Sequence, residues 1–340
     1  MLRKGIIAGG NWIIDRVKSI DAWPNQDELA NILSETESNG GAPYNVLKDL
    51  ALLQSEVSLD RKIPLQGIGL IGSDPAGDFI LQDCRLYGID VSKISITDRA
   101  PTSYTDVMVV RTTGRRTFFH CRGANALLDD SHFDFSNTSA KHFHLGYLLL
   151  LDALDSVDAE FGTVAARVLH RAKLAGMTTS LDLVSDASGR FQDVVTPSLR
   201  YADIVFMNEY EASRLCGDPI VSAKDQLIET ARNVLDLGAP GWVIIHQETG
   251  AVAASTNGQS FSQGAVKVPS NQIAGTVGAG DAFAAGVIMA MHENIGMELA
   301  LRLGACCSAA CITHERCSEG ISTFLNCQKM GDTFGFRSFD

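Results

Sequence analysis

With 340 residues, 45% of them hydrophobic and 20% charged, the chain is long enough for one large α/β domain or two medium ones around a sizeable core. Its formal net charge of −12 argues against nucleic acid or anionic membrane as a main partner, so a polyanionic ligand would have to rely on local features such as helix termini or a metal ion. The N-terminal apolar run is too short for a signal peptide, and no stretch approaches the roughly 18 uninterrupted apolar residues of a membrane helix; a cytoplasmic protein is expected.

The apolar run 5–8 predicts a first strand that turns at Gly9 and Gly10, and residues 12–18 mix apolar and polar positions near the strand period. Gly40 and Gly41 then open a helical pattern through Val46, Leu47, Leu50, Leu52 and Leu53. Paired glycines ahead of a helix offer bare backbone to a ligand, and Asn45 faces the same opening. Gly67, Gly69 and Gly72 spell the dinucleotide pattern Gly-x-Gly-x-x-Gly, which would make an NAD-dependent oxidoreductase the rival reading. That pattern needs a helix beginning at its glycines, whereas Asp74 and Pro75 are the better helix start as N-cap and first-turn proline. Residues 67–71 therefore read as a strand, followed by a helix over about 75–87.

Residues 103–120 read as a hairpin. From 142 onward, strands at 142–151, 177–183, 204–207, 242–246 and 251–255 alternate with helices at 161–175, from 208, 223–237 and 298–313. Repeated βα units imply a mostly parallel sheet covered on both faces, whose ligands bind at the carboxyl ends of the strands. Asp182, Asn208, Glu211 and Asp281 all lie at such ends, as one shared cleft requires. The late cysteines (Cys306, Cys307, Cys311, Cys317 and Cys327) read as buried reduced thiols rather than a zinc site.

The most informative stretch is Gly275-Thr-Val-Gly-Ala-Gly-Asp281, which runs into an apolar helical pattern. A small turn at a helix start offers unpaired N–H groups and the positive end of the dipole to an anion, phosphate above all. The same dipole favours the ionised form of Asp281, placing a base beside the anion cradle. The bland alternatives are an N-cap role for Asp281, a helix cap at Asn45, a solvated acid at Glu211 and an exposed strand-edge charge at Asp15.

Together with Gly40-Gly-Ala-Pro-Tyr-Asn45, Asn11-x-x-x-Asp15, Gly72-Ser-Asp74-x-x-Gly77 and Asn208-x-x-Glu211, this stretch resembles the ribokinase-like, or PfkB, family of carbohydrate kinases over nearly the whole chain. The resemblance implies a three-layer α/β sandwich with a mostly parallel central sheet flanked by helices, plus a small β-sheet lid. It implies one kinase domain over 1–340, with lid segments at approximately 11–36 and 98–124. The implied activity is ATP-dependent transfer of the γ-phosphoryl group to a primary hydroxyl of a small sugar or sugar acid, fructokinase-like in first place. A nucleoside kinase of the same family and a non-catalytic sugar-binding descendant are the other readings.

By the same resemblance, Asp281 is the general base and Gly278, Ala279 and Gly280 donate backbone N–H groups to the phosphoryl. Asn11, Asp15, Gly40, Gly41 and Asn45 hold the acceptor. Asn208, Gly250, Thr276, Gly278 and Gly280 face the nucleotide, and Asn208 with Glu211 holds Mg²⁺ largely through water. The adenine wall is expected from residues 250–252 and the 305–320 segment. The family usually carries Asp where this chain has Gly275, which puts a K⁺ requirement in doubt. The lid is a possible homodimer surface in that family, Arg111, Arg115, Arg116 and Arg122 read as its solvated face, and His246 reads as a strand-end residue.

Overall fold

The structure is a computed structural model and describes residues 3–340. In chain order its strands are β1 (Ile6–Gly10), β2 (Ile13–Ile20), β3 (Ile32–Gly40), β4 (Leu65–Gly72), β5 (Asp90–Thr97), β6 (Ser103–Val110), β7 (Arg116–Cys121), β8 (His142–Gly146), β9 (Val157–Asp158), β10 (Gly162–Thr163), β11 (Thr178–Asp182), β12 (Ile204–Asn208), β13 (Trp242–Gln247), β14 (Gly250–Ser255) and β15 (Ser260–Gly264). The α-helices are α1 (Ala42–Leu53), α2 (Pro75–Leu86), α3 (Val164–Leu174), α4 (Phe191–Leu199), α5 (Glu209–Cys216), α6 (Lys224–Asp236), α7 (Ala279–His292), α8 (Met297–Cys311) and α9 (Phe324–Phe334).

The large sheet has the order β15-β14-β13-β12-β11-β8-β1-β4-β5, parallel from β13 to β5, with β14 and β15 antiparallel at one edge. Alternation within single strands sends side chains to two separate cores. Ile204 and Phe206 of β12 pack with Leu47, Ile80, Val287 and Leu301 from α1, α2, α7 and α8. Val205 and Met207 pack with Val168, Val194, Ala212 and Leu227 from α3 to α6. Burial on both faces explains why these strands are apolar throughout rather than alternating, and it builds the three layers. Strands β3-β2-β6-β7 form a separate sheet in which β2 pairs parallel with β6 and antiparallel with β3. Strands β9 and β10 make a two-stranded ribbon.

The three glycines of the dinucleotide pattern all lie inside β4, and no helix begins among them. Cβ atoms at Gly67 and Gly69 would lie 2.6 and 2.1 Å from the Trp12 ring, and the Trp12 indole N–H donates to the Ile68 carbonyl at 2.8 Å. These glycines make room for a tryptophan, so the NAD reading loses its structural basis. Helix α2 starts at Pro75, with the Asp74 carboxylate accepting the Gly77 N–H at 2.9 Å.

Some expectations from sequence shift. The run 142–151 is not one strand: β8 stops at Gly146, and the N–H groups of Leu149 and Leu151 donate to the Asp155 carboxylate at 3.1 Å each. The apolarity of Leu148, Leu149 and Leu151 reflects a buried turn. Helix α3 begins at Val164 instead of 161, capped by the Thr163 hydroxyl. Strands β3, β5 and β15 and helix α9 have no counterpart in the sequence reading. They lie at sheet edges or on the surface, where β3 and β5 are largely exposed and carry little apolar periodicity. Among the described residues no helix is long and apolar enough to cross a membrane. The late cysteines are free thiols, and no group of three or more His, Cys, Asp or Glu side chains is arranged to hold a metal among the described residues.

Candidate active site

Helix α7 is entered through Gly278, whose φ of 78° is left-handed; a Cβ there would lie 2.8 Å from the Cys317 Cβ. Glycine meets both demands at no steric cost. Asp281 follows in the first turn, 5% exposed. Its Oδ2 accepts the Asn45 Nδ2–H at 2.7 Å and its Oδ1 accepts the Tyr147 hydroxyl at 2.6 Å. The first N–H groups of such a helix have no intrahelical partner and remain available to an anion.

Two cavities meet at this turn. One, of about 560 Å³, is lined by Asp15, Gly41, Asn45, Tyr147, Asp182 and Asp281, with the small sheet as a wall. The other, of about 640 Å³, is lined by Gly250, Ala251, Val266, Phe283, Ala309 and Ile312. Asn208, Thr276, Ala279, Gly280, His246 and Arg116 border both.

Asn11 and Gly40 line neither cavity. The Asn11 Oδ1 accepts the Tyr147 backbone N–H, and its carbonyl oxygen lies 2.1 Å from where a Gly41 Cβ would sit. A Cβ at Gly40 would fall 2.5 Å from the Asp15 carboxyl group. The bare backbone of Gly40 thus makes room for Asp15. Asn45 is no helix cap: Gly41 holds that position in α1, while the Asn45 Oδ1 accepts from Asn39 at 2.6 Å. Asp15 and Glu211 are buried, so neither is the solvated charge considered above.

Asn208 caps α5 and forms a reciprocal box with Glu211. The Asn208 Oδ1 accepts the Glu211 N–H at 2.8 Å, and the Glu211 Oε2 accepts the Asn208 N–H at 2.9 Å. The Glu211 Oε1 accepts from Ser185 and Asn208 side chains, each at 2.9 Å. These bonds leave the carboxylate suited to holding a cation through water rather than directly.

Burial dominates the electrostatics. It pushes Asp15 up to about 7, with the Asp281 charge adding to the rise and the Cys317 thiol opposing it. It pushes Glu211 to about 7, against the Asn208 N–H and the Ser185 hydroxyl. Asp182 is driven well above the usual carboxylate range by burial, then by Asp281 and Glu211. Asp281 itself is raised by burial and drawn back by its bonds from Asn45 and Tyr147. The ionised base expected from the helix dipole alone is therefore opposed by desolvation and depends on two side-chain donors. Among the described residues none of these four carboxylates has an ion-pair partner. Asn208 borders both cavities and Glu211 lines the smaller one, so this pair is the place where a divalent cation held through water would stand beside the uncompensated acids. Gly275 offers no side-chain oxygen to K⁺; a Cβ there would lie 3.1 Å from the His314 carbonyl.

Three residues of the cleft escaped the sequence reading. Tyr147 stood in the middle of an expected strand, and its signal was the glycine before it, where β8 ends. His246 borders both cavities and tilts against Phe283, ring centroids 5.5 Å apart; burial lowers its imidazole to about 4. Arg116 is not part of a merely solvated face, since it reaches both cavities from β7.

Comparison with known proteins agrees with this architecture. The family model for pfkB family carbohydrate kinase matches residues 10–323. Ketohexokinase from Mus musculus is 26% identical over 89% of this chain and 94% of its own. An ATP-dependent ribose-1-phosphate kinase from Halopiger xanaduensis is 27% identical over 88% of each. Among solved structures, Giardia lamblia ribokinase superposes with a TM-score of 0.79 at 19% identity, covering 98% of this chain and 99% of that one. Arabidopsis thaliana ribokinase complexed with ribose and ATP gives 0.77 at 20% identity, covering 96% and 98%.

Proposed function

Because the chain belongs to the pfkB family of carbohydrate kinases and is a phosphotransferase with an alcohol group as acceptor, we propose that it moves the γ-phosphoryl group of ATP to a primary hydroxyl of a small sugar or sugar acid, with a ketohexose of the fructose class as first candidate. The observation that carries this reading is the position of Asp281, at the helix tip where two cavities join, with both carboxylate oxygens held by donors. The larger cavity, with Gly250 and Thr276 in its wall, takes the nucleotide. The smaller, with Asp15, Gly41 and Asn45, takes the acceptor. Mg²⁺ would be held by Asn208 and Glu211 and would supply positive charge to the phosphates; an E. coli neighbour solved with ATP and Mg²⁺ (TM-score 0.74, 20% identity, covering 97% of this chain and 99% of that one) supports the pairing.

In this reading the small sheet, a lid over segments 11–36 and 98–124 of one kinase domain, shields the acceptor from water and limits wasteful ATP hydrolysis. The proposal includes a homodimer through that sheet, because Trp23, Ile32, Leu33 and Phe119 are left exposed there; sedimentation equilibrium finding only monomer removes that part.

A Mg²⁺-dependent ADP-release assay over D-fructose, D-ribose, 2-keto-3-deoxygluconate, adenosine and inosine tests the function. Release with a sugar is expected. Release with a nucleoside alone moves the acceptor class, and silence with every acceptor favours a sugar-binding protein without catalysis. Tyr147→Phe is expected to shift the rising limb of the pH profile of kcat/KM upward by roughly one to two units, because a hydrogen bond to a charged group is worth about 1.5–3 kcal/mol. The sign follows from the donor: the hydroxyl favours the ionised carboxylate, so its loss raises the pKa of Asp281 and the base works only at higher pH. An unmoved profile takes Tyr147 out of this role.

A further inference from the structure

Behind the cleft, the Asp281 carboxylate is joined to the small sheet by buried side chains. Asn39, the last residue but one of β3, has its backbone held opposite Ile14 of β2. Its Nδ2 group donates to the Asn45 Oδ1 at 2.6 Å and to the Ser318 Oγ at 2.9 Å. The Asn45 Nδ2 in turn donates to the Asp281 Oδ2 at 2.7 Å. Asn39, Asn45 and Ser318 are all buried, and neither Asn39 nor Ser318 lines either cavity.

An amide has nearly the same shape at both ends but opposite chemistry: its oxygen only accepts and its nitrogen only donates. Asn45 can therefore serve an ionised Asp281 in one orientation alone. Turned over, it would set its oxygen against the Asp281 Oδ2 at 2.7 Å and its N–H₂ group against that of Asn39 at 2.6 Å. Both hydrogens of the Asn39 nitrogen are engaged, one by Asn45 and one by Ser318, so that donor is not free to yield. A buried polar group that loses its partner costs its full desolvation, and this holds the orientation firmly.

We propose that Asn39 is a positioning residue for phosphoryl transfer: it holds the Asn45 amide with its nitrogen toward Asp281, so that the base is met by a donor rather than by an oxygen. The inference rests on the kinase reading. Asn39 acts on Asp281 through Asn45, by favouring the ionised carboxylate that takes the acceptor's proton. Because β3 belongs to the small sheet, the same bond ties the base to the element that walls the acceptor cavity.

The test measures kcat/KM from about pH 5 to about pH 9 with the full-length protein, Mg²⁺, ATP and whichever of D-fructose, D-ribose or adenosine the wild type turns over fastest. Asn39→Leu, of similar size and without a donor, is expected to shift the rising limb upward by about 0.5–1 unit, part of what a lost bond to a charged group can move. On that limb the loss is about three- to tenfold, whereas on the plateau kcat/KM stays within about threefold of wild type. The sign follows from the donors: an Asn45 free to turn favours the ionised carboxylate less, so Asp281 works only at higher pH. Asn39→Ala, also without a donor and with no added bulk, carries the same expectation should the leucine variant not fold. In an Asp281→Asn background, Asn39→Leu should change the residual kcat by less than about twofold, because no carboxylate remains for it to act on. An unmoved profile, a loss equal at every pH, or an equal loss in the Asp281→Asn background overturns the assignment. A wild type that releases no ADP with any of the three acceptors overturns the kinase reading and this inference with it.

Discussion

Asp281→Asn is expected to lower kcat by about two to four decades, the usual contribution of a positioned general base, with nucleotide affinity retained. The amide has nearly the same shape but one acceptor fewer: its oxygen keeps the Asn45 N–H, its NH₂ group turns to the Tyr147 hydroxyl, which then accepts instead of donating, and proton acceptance by the carboxylate is lost. Structure predicts a second effect of the same substitution. Burial holds Asp281 above the ordinary carboxylate range, and its charge raises both Asp15 and Asp182. A neutral amide removes that repulsion, so the variant should melt no lower than wild type and the pKa of Asp15 should fall from about 7. Together the two readouts separate lost chemistry from lost folding. Near-normal turnover in a well-folded variant would falsify the role of Asp281 as base.

The second large effect is expected at Gly41. Its φ of 85° already costs an L-residue about 1–2 kcal/mol, and an added Cβ would lie 2.1 Å from the Asn11 carbonyl oxygen, a backbone atom with little freedom to retreat. With about 1–3 kcal/mol for the forced displacement, Gly41→Ala should lose about 3 kcal/mol in denaturant melts. Acceptor affinity should fall too, because the Asn11 side chain holds the Tyr147 backbone and Tyr147 holds Asp281. Gly88→Ala is the control: φ there is 70°, yet nothing lies within 4 Å of the added Cβ, so only the conformational cost of about 1–2 kcal/mol applies. Equal losses in the two variants would show that the close approach at Gly41 contributes nothing.

The order of the motifs was legible because each depends on local backbone chemistry. Small residues and an acid ahead of an apolar helical run specify a helix start, as Gly278 and Asp281 show at α7, and Asp74-Pro75 specifies a helix start that defeats the dinucleotide reading of β4. Edge elements such as β3 and β5 were not legible, since an exposed strand pairs its backbone without leaving an apolar period in its side chains.

The chain itself determined that it folds as alternating strands and helices, that a small-residue turn with a carboxylate opens a helix at 278–281, and that paired glycines stand far upstream at 40 and 41. Tertiary structure alone decided what those residues do to one another. It set Gly40 beneath Asp15, bound Asp281 to Asn45 across 236 positions and to Tyr147 across 134, and brought Arg116 to the junction of two cavities. The reason is physical: caps, turns and periodicity are fixed within a few residues, whereas desolvation of a carboxylate and its compensating donors exist only once distant segments pack together and exclude water.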